Sequence, residues 1–225
     1  MTSPELFQHV VRSRRVTRQF LPAPLSEHLI NRVLLDAQHS PSNCNTQPWQ
    51  VHLVSGAARD RLSEALLAAD DRQHYTPDFA FDMQAYTGVH AQRAQDSGRA
   101  RYEAIDIGRD DHAARLACLR HNLKFFDAPH VAFLFMPQIS DYVRAAGDVG
   151  MYAQTFLLSL QARGLGGIPQ TLLGMYAETV REVLGVSGEL KLMFGISFGY
   201  ADPHSASNFV DVGRVALTES VVIHQ

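Results

Sequence analysis

Apolar residues first recur at helical spacing between Pro4 and about Arg12, where Leu6 and Val10, and Phe7 and Val11, stand four apart. The period then breaks. Val16, Thr17 and Phe20 in "RSRRVTRQF" favour an extended backbone, and "LPAPL" is a proline-rich connector. Ser26 and Glu27 open a second helix, with Leu29, Ile30, Val33, Leu34 and Ala37 along one face. "SPSNCNTQP" closes it as a loop. From Trp49 the pattern alternates, Val51 and Leu53 against Gln50 and His52, which predicts a strand. A helix is predicted over 57–69 and another over 110–126, followed by the strongly apolar strand "APHVAFLFMP". A long helix follows over 141–163, then a turn at "GLGGIPQ", a short helix over 178–184 and a strand in "KLMFGISFGYADP".

Two stretches resist this reading. Between 75 and 108 polar residues dominate, with aromatics at Tyr75, Phe79, Phe81, Tyr86 and Tyr102, and only helical pieces joined by loops can be drawn. Residues 208–225 look extended, with little core of their own. The helix over 141–163 is unusual in another way. Ala145, Ala146, Gly147, Gly150 and Ala153 alternate with large apolar residues, so it is apolar nearly all round and open to close approach by another backbone. Strands separated by helices indicate an α+β or α/β domain.

Composition narrows the function classes. A chain of 225 residues with 46% apolar content can build a full core in one domain. A formal charge of −3 argues against nucleic acid as a main partner. Cys44 and Cys118 make no disulfide framework and fit a reducing cytoplasm. No signal peptide or membrane-length apolar run is evident. Only Lys124 and Lys191 of the 20 basic residues are lysine, so each single arginine is weak evidence of a special role.

Four constellations bear on chemistry. Arg12, Arg14, Arg15 and Arg18 fall together, with no acidic residue between Glu5 and Glu27. If 14–18 is extended, Arg14 and Arg18 share one side and Arg15 takes the other, and two guanidiniums on one side can grip a phosphate. The competing reading is a solvated basic patch. In the second, Asn43, Asn45 and Gln47, beside the hydroxyl of Ser42, supply more amides than a turn needs, a set suited to a planar ring edge of alternating donors and acceptors. Trp49 reads as core and Cys44 as an inert buried thiol. Third, "GLGGIPQT" is neither a P-loop nor a dinucleotide fingerprint; it is a flexible turn or a backbone laid flat against a ligand. Fourth, the histidines show no metal-ligand spacing, though His121 and Lys124 would share a helix face. No protein nucleophile, acid, base or metal site stands out. Cradle residues without a reactive side chain suit an enzyme whose cofactor does the chemistry.

The segments "RSRRVTRQF", "SPSNCNTQPWQVHLVSG", "NLKFFDAPHVAFLF", "GIPQT", "FGISFGYADP" and "GRVALTESV" occur in the order and rough spacing of the nitroreductase-like flavoproteins. The resemblance runs from about residue 5 to 220. It implies an α+β fold, a central mostly antiparallel sheet flanked by helices, and an entwined homodimer with FMN at the subunit interface. The chain would be one FMN-binding domain over 1–225, its segment from about 208 to 225 wrapping the partner. Carried over by motif, Arg14 and Arg18 would hold the FMN phosphate or ribityl chain, Arg15 and Val16 would contribute through backbone, and Arg214 would return to the phosphate from the C-terminal segment. Val16 stands where the family often has serine. Pro41, Ser42, Asn43 and Asn45 would lie along the isoalloxazine edge, with Asn45 and Gln47 reaching across the interface. Lys124 would approach the pyrimidine side or the ribityl chain, and Pro169, Gln170 and Thr171 would cover one ring face. The implied activity moves electrons from NADPH or NADH through FMN to a nitroaromatic or quinone-type acceptor by a ping-pong scheme. A sensor or store without turnover, a dehalogenase and a flavin-cleaving enzyme are the alternatives.

Overall fold

The first two helices begin where local chemistry closes the first turn. The Thr2 backbone N–H donates to the Glu5 carboxylate at 2.8 Å at the start of α1 (Ser3–Ser13), and the Ser26 hydroxyl accepts from Leu29 N–H at 3.3 Å at the start of α2 (Glu27–Gln38). The structure is a computed structural model, describing residues 2–225. Four strands follow in the chain: β1 (Gln50–Ser55), β2 (His130–Pro137), β3 (Gly166–Gln170) and β4 (Leu190–Gly199). They form one sheet in the order β1-β2-β4-β3, and every pairing is antiparallel. The expectation of an α+β fold on a mostly antiparallel sheet is met.

Strand β2 is central, and residues 130–136 are all buried, which explains an apolar run instead of an alternating one. One face of the sheet packs on α2 and on α6 (Val143–Ala162) through Val33, Leu134, Val149, Tyr152, Phe156 and Phe198. The other packs on α3 (Gly56–Asp71) and α7 (Ala177–Leu184) through Leu62, Leu66, Phe133, Phe135, Leu173 and Val180. Trp49 is core, as expected: its ring lies 5.1 Å from Tyr152 and its Nε1–H donates to Gln38 at 3.1 Å.

Two expectations need correction. "GLGGIPQ" is a turn only at Gly164, whose φ is +70°; from Gly166 it runs as edge strand β3 against β4. Its glycines admit protein, not ligand. A Cβ on Gly166 would stand 2.3 Å from Thr17 Oγ1, and one on Gly167 would stand 2.8 Å from Leu160 Cδ1. The helix predicted over 110–126 is two pieces. Helix α5 (His112–Arg120) passes into 3₁₀ turns, and Phe125, Phe126 and Asp127 take φ of 59°, 53° and 61°. Those left-handed residues bury both phenylalanines while reversing the chain into β2. The segment over 75–108 resolves into irregular chain and α4 (Gly88–Glu103), which buries no residue within this chain. Residues 211–225 are exposed throughout. Among the described residues no helix is long and apolar enough to cross a membrane, and no cluster of His, Cys, Asp and Glu could hold a metal.

Candidate flavin site

The segment after α1 is pinned to the free edge of β3. Val16 forms a parallel bridge with Gly167, and Thr17 N–H donates to Gly167 O at 3.3 Å. Asn208 fixes the other end, its side-chain oxygen accepting from Arg18 N–H and Gln19 N–H at 2.7 and 3.1 Å. This holds Arg14, Arg15, Val16 and Arg18 around a cavity of about 510 Å³, which Arg101 of α4 and Arg214 of the C-terminal segment also line. The sequence placed Arg15 on the far side from Arg14 and Arg18. The structure puts it on the same cavity, because one bridge at Val16 does not impose strand alternation on its neighbours.

Among the described residues none of Arg14, Arg15, Arg18, Arg101 and Arg214 has a carboxylate within salt-bridge distance. Burial and then the neighbouring Arg214 charge lower the pKa of Arg14. Burial, followed by the Arg101 charge, brings Arg18 down to about 10, with Cys118 acting in the opposite sense. Asp211 is the one carboxylate in the cavity wall, and it makes no salt bridge with these arginines among the described residues. Guanidiniums gathered with so little counter-charge are unfavourable, and an anion with several acceptor oxygens removes the conflict. The solvated-patch reading fits less well, since Arg14 and Arg18 are both drawn in from solvent.

The loop over 40–47 is built differently. Ser40 Oγ donates to Thr155 Oγ1 at 2.8 Å, and Asn43 N–H donates to both Asp148 oxygens at 3.1 and 3.2 Å, so α6 holds the loop at two places. Gln47 N–H donates to Ser42 Oγ at 2.9 Å and its side chain to Asn45 O at 3.2 Å. Cys44, Asn45 and Gln47 have φ of 52°, 56° and 47°. Cys44 is exposed, not the buried thiol expected, because this left-handed turn lifts it off α6. The side-chain amides of Asn43 and Asn45 are exposed and make no hydrogen bond within the described residues.

None of Pro41, Ser42, Asn43, Asn45 or Gln47 lines the arginine cavity. Gln161 ties α1 to the far part of α6 through Ser13, at 3.0 Å, whereas the amide-bearing part of the loop is tied at Asp148 and only Ser40 reaches Thr155. At about 1.5 Å per residue Asp148 and Gln161 are about 20 Å apart along the helix. The third group continues along β3 from the bridge at Gly167. Pro169 and Thr171 are exposed on and just beyond β3, while the Gln170 side chain turns inward, accepting from Ser197 Oγ and donating to Asn122 O at 3.0 Å. That last bond joins β3 to the turn carrying His121 and exposed Lys124. A band therefore runs from the arginines along β3 to Lys124.

A profile of the Nitroreductase family matches residues 11–200. The chain belongs to the nitroreductase family. Within that family the chain is 44% identical over 213 residues to nitroreductase NfnB of Mycolicibacterium smegmatis, covering 95% of this chain and 90% of that protein. It is 32% identical over 215 residues to a 4-nitrobenzoate reductase of Pseudomonas putida, covering 92% and 91%. The crystal structure of FMN-dependent nitroreductase NfnB from Mycobacterium smegmatis in complex with NADPH superposes with a TM-score of 0.95 at 42% identity, covering 99% of each chain. Arg101 was missed in the sequence because α4 buries nothing within the chain and so shows no apolar period. Arginine-rich composition hid it further.

Proposed function

We propose that this family member is an FMN-dependent oxidoreductase that takes electrons from NADPH or NADH and delivers them to nitroaromatic or quinone-type acceptors, working as a homodimer. The observation that carries the reading is the arginine cavity, whose converging cations have no carboxylate partner. The donor set fits FMN: guanidiniums for a phosphate, free amides for a ring edge, and an exposed strand end and lysine between.

FMN, when bound, supplies a two-electron relay between donor and acceptor. For a nitro acceptor the net change is NADPH, a proton and the nitroarene giving NADP⁺, the nitrosoarene and water. Arg14, Arg15, Arg18 and Arg214 bind the phosphate and tail, with Val16 contributing only backbone. Pro169, Gln170 and Thr171 offer backbone and the ring of Pro169 to one face. Lys124 places positive charge at the pyrimidine end. Donor and acceptor occupy the same opening in turn, which gives ping-pong kinetics, and no side chain serves as acid or base.

The loop bearing Pro41, Ser42, Asn43, Asn45 and Gln47 comes from the second chain, since within one chain it stands at the other part of α6. Support for the pairing is on α6 itself. Gly147 and Gly150 are exposed, and a Cβ on either would meet nothing within 4 Å in this chain. Their smallness serves no packing inside the chain, and a second backbone accounts for it. Leu217, Val222 and Ile223, exposed at 74%, 78% and 78%, fit a C-terminal segment from about 208 to 225 laid along that partner. The whole chain then acts as one FMN-binding domain, and its two free thiols fit a cytoplasmic setting.

Spectroscopy tests this directly. Purified protein should be yellow with a band near ~450 nm, the signature of the bound flavin that would carry the chemistry. Anaerobic NADPH or NADH should bleach it, and a nitroarene should restore the colour. Colourless protein that takes up no added FMN would defeat the proposal.

A further inference from the structure

We propose that α3 is a positioning element of the flavin site: Arg59 and Ser63 fix the main chain at Lys124 and so set how strongly its ammonium favours the reduced flavin. The inference rests on the flavin reading above and on the place that reading gives Lys124. In the turn after α5, three successive carbonyls each accept a hydrogen bond from a side chain of another element. Gln170 of β3 donates to Asn122 O at 3.0 Å, Ser63 Oγ to Leu123 O at 2.9 Å, and Arg59 Nη2 to Lys124 O at 3.1 Å. Just before them, Arg120 Nη1 donates to Asp70 and Asp71 at the end of α3, both at 2.7 Å. At about 100° per residue, Arg59, Ser63 and Asp70 fall within about 40° of one another around α3. All three are half-buried. One stripe of one helix therefore holds the turn at three places.

Arg59 acts on the turn by geometry. Its Nη1 meets Asp60 at 2.6 Å, which offsets its charge close to the source, and its guanidinium stands 5.8 Å from the Phe125 ring. Lys124 is free where its neighbours are held. Among the described residues its ammonium has no carboxylate within salt-bridge distance. The carboxylate of Asp127, three residues on, is taken by His121 at 2.9 Å and Gln19 at 3.0 Å. A lysine on a mobile turn spreads its charge over many positions, whereas one on a fixed main chain presents it from a set origin. Negative charge gained by a ring beside it is then stabilised with little reorganisation.

A purely structural role for Arg59 and Ser63, seating Phe125 and Phe126 in the core, predicts lost stability and an unaltered flavin. A double-mutant cycle separates the two. Holoenzyme is equilibrated anaerobically with a reference dye to obtain the reduction potential of its FMN, and urea midpoints are measured on the same preparations. The set is the natural chain, Ser63→Ala, Arg59→Met, those two together, Lys124→Met, Lys124→Arg, and the pair combined with Lys124→Met. Lys124→Met should shift the two-electron equilibrium about tenfold toward the oxidised form, about 30 mV. Lys124→Arg should keep most of the natural value. The pair should shift it in the same direction by about threefold or more when Lys124 is present, and not at all when it is absent. Ser63→Ala removes a hydroxyl and no charge, so it carries the test alone if Arg59→Met does not fold. A natural potential in the pair alongside a lowered urea midpoint, or an equal shift with and without Lys124, overturns the proposal. Colourless protein removes the flavin reading and this proposal with it. Yellow, bleachable protein whose potential ignores Lys124→Met removes this proposal alone.

Discussion

Asn43 and Asp148 are joined across 105 positions of the chain, the Asn43 N–H donating to both carboxylate oxygens of a side chain that is only 4% exposed. No cation within salt-bridge distance accompanies that carboxylate among the described residues, so a backbone amide is its visible partner. The contact holds a loop with three left-handed non-glycine residues, Cys44, Asn45 and Gln47, in place against α6. Asp148→Ala leaves the Asn43 N–H without its acceptor and should destabilise by about 1–3 kcal/mol. FMN affinity should fall by about tenfold, because the proposed ring-edge amides lose their fixed position. Asp148→Asn keeps one acceptor oxygen and should retain most of both. Urea unfolding and FMN fluorescence titration read the two effects, and natural behaviour of Asp148→Ala in both would show that α6 does not position the loop.

Arg14 and Arg18 oppose the fold while favouring its ligand. Burial and neighbouring arginines lower both pKa values, so the protein without FMN holds unfavourable charge there. Arg18→Ala should leave the urea midpoint of flavin-free protein unchanged or raise it. FMN affinity should drop by about 10- to 100-fold, the worth of a charge-assisted hydrogen bond at about 1.5–3 kcal/mol. Riboflavin, which lacks the phosphate, should bind both forms within a few-fold of each other. Equal losses for FMN and riboflavin would move Arg18 away from the phosphate.

Acid should weaken the fold through His130. This ring is 3% exposed, lies 5.4 Å from Phe198 in a stacked pair, and accepts Leu25 N–H at Nε2 at 2.9 Å. The ring proton therefore sits on Nδ1, which is buried without a partner. Burial lowers its pKa from the ordinary 6.5, and burial lowers that of His52 as well. As pH falls below 6.5 the unfolded chain takes up protons that the native rings refuse, so stability declines with acid. Above that range neither ring contributes a slope. Urea midpoints at pH 7.5 and 5.5 check this, values chosen to bracket a pKa of about 6.5. His130→Gln, which can still accept from Leu25, should show a smaller drop between them than the natural chain. An identical drop would assign the acid sensitivity elsewhere.

The sequence exposed those elements whose burial leaves a local period. Helix α2 shows its apolar face and its Ser26 cap, and β2 shows a run buried on both faces. Strand β3 was hidden because two glycines and a proline have poor strand propensity; pairing with β4 and packing of Thr17 and Leu160 into the glycine gaps create it. Helix α4 was hidden for the opposite reason, since a helix that buries nothing in its own chain carries no stripe. The arginines of 12–18 were legible as a group, yet Arg101 and Arg214 join the cavity only through the tertiary fold. Motif order located the 41–47 loop, but its separation from that cavity along α6 is visible only in three dimensions.

Asp78 and Arg181 offer the last test, in a region whose sequence was hardest to read. The Asp78 side chain is 7% exposed and accepts Arg181 Nη1 at 2.5 Å and Leu192 N–H at 2.8 Å, with Lys191 Nζ at 3.9 Å. One carboxylate thus ties the irregular chain after α3 to both α7 and β4. Asp78→Ala leaves a largely buried guanidinium without its counter-ion, with only Leu190 O to accept from it, and a strand N–H without its partner, and should cost about 3–5 kcal/mol. Asp78→Asn keeps an acceptor for Leu192 and should cost less. The double variant Asp78→Leu with Arg181→Met removes both charges together and should recover much of the loss. None of these residues lines the arginine cavity, so flavin content and bleaching at low temperature should be unaffected. A double variant as unstable as Asp78→Ala alone would mean that the Leu192 hydrogen bond, not the uncompensated Arg181 charge, sets the cost.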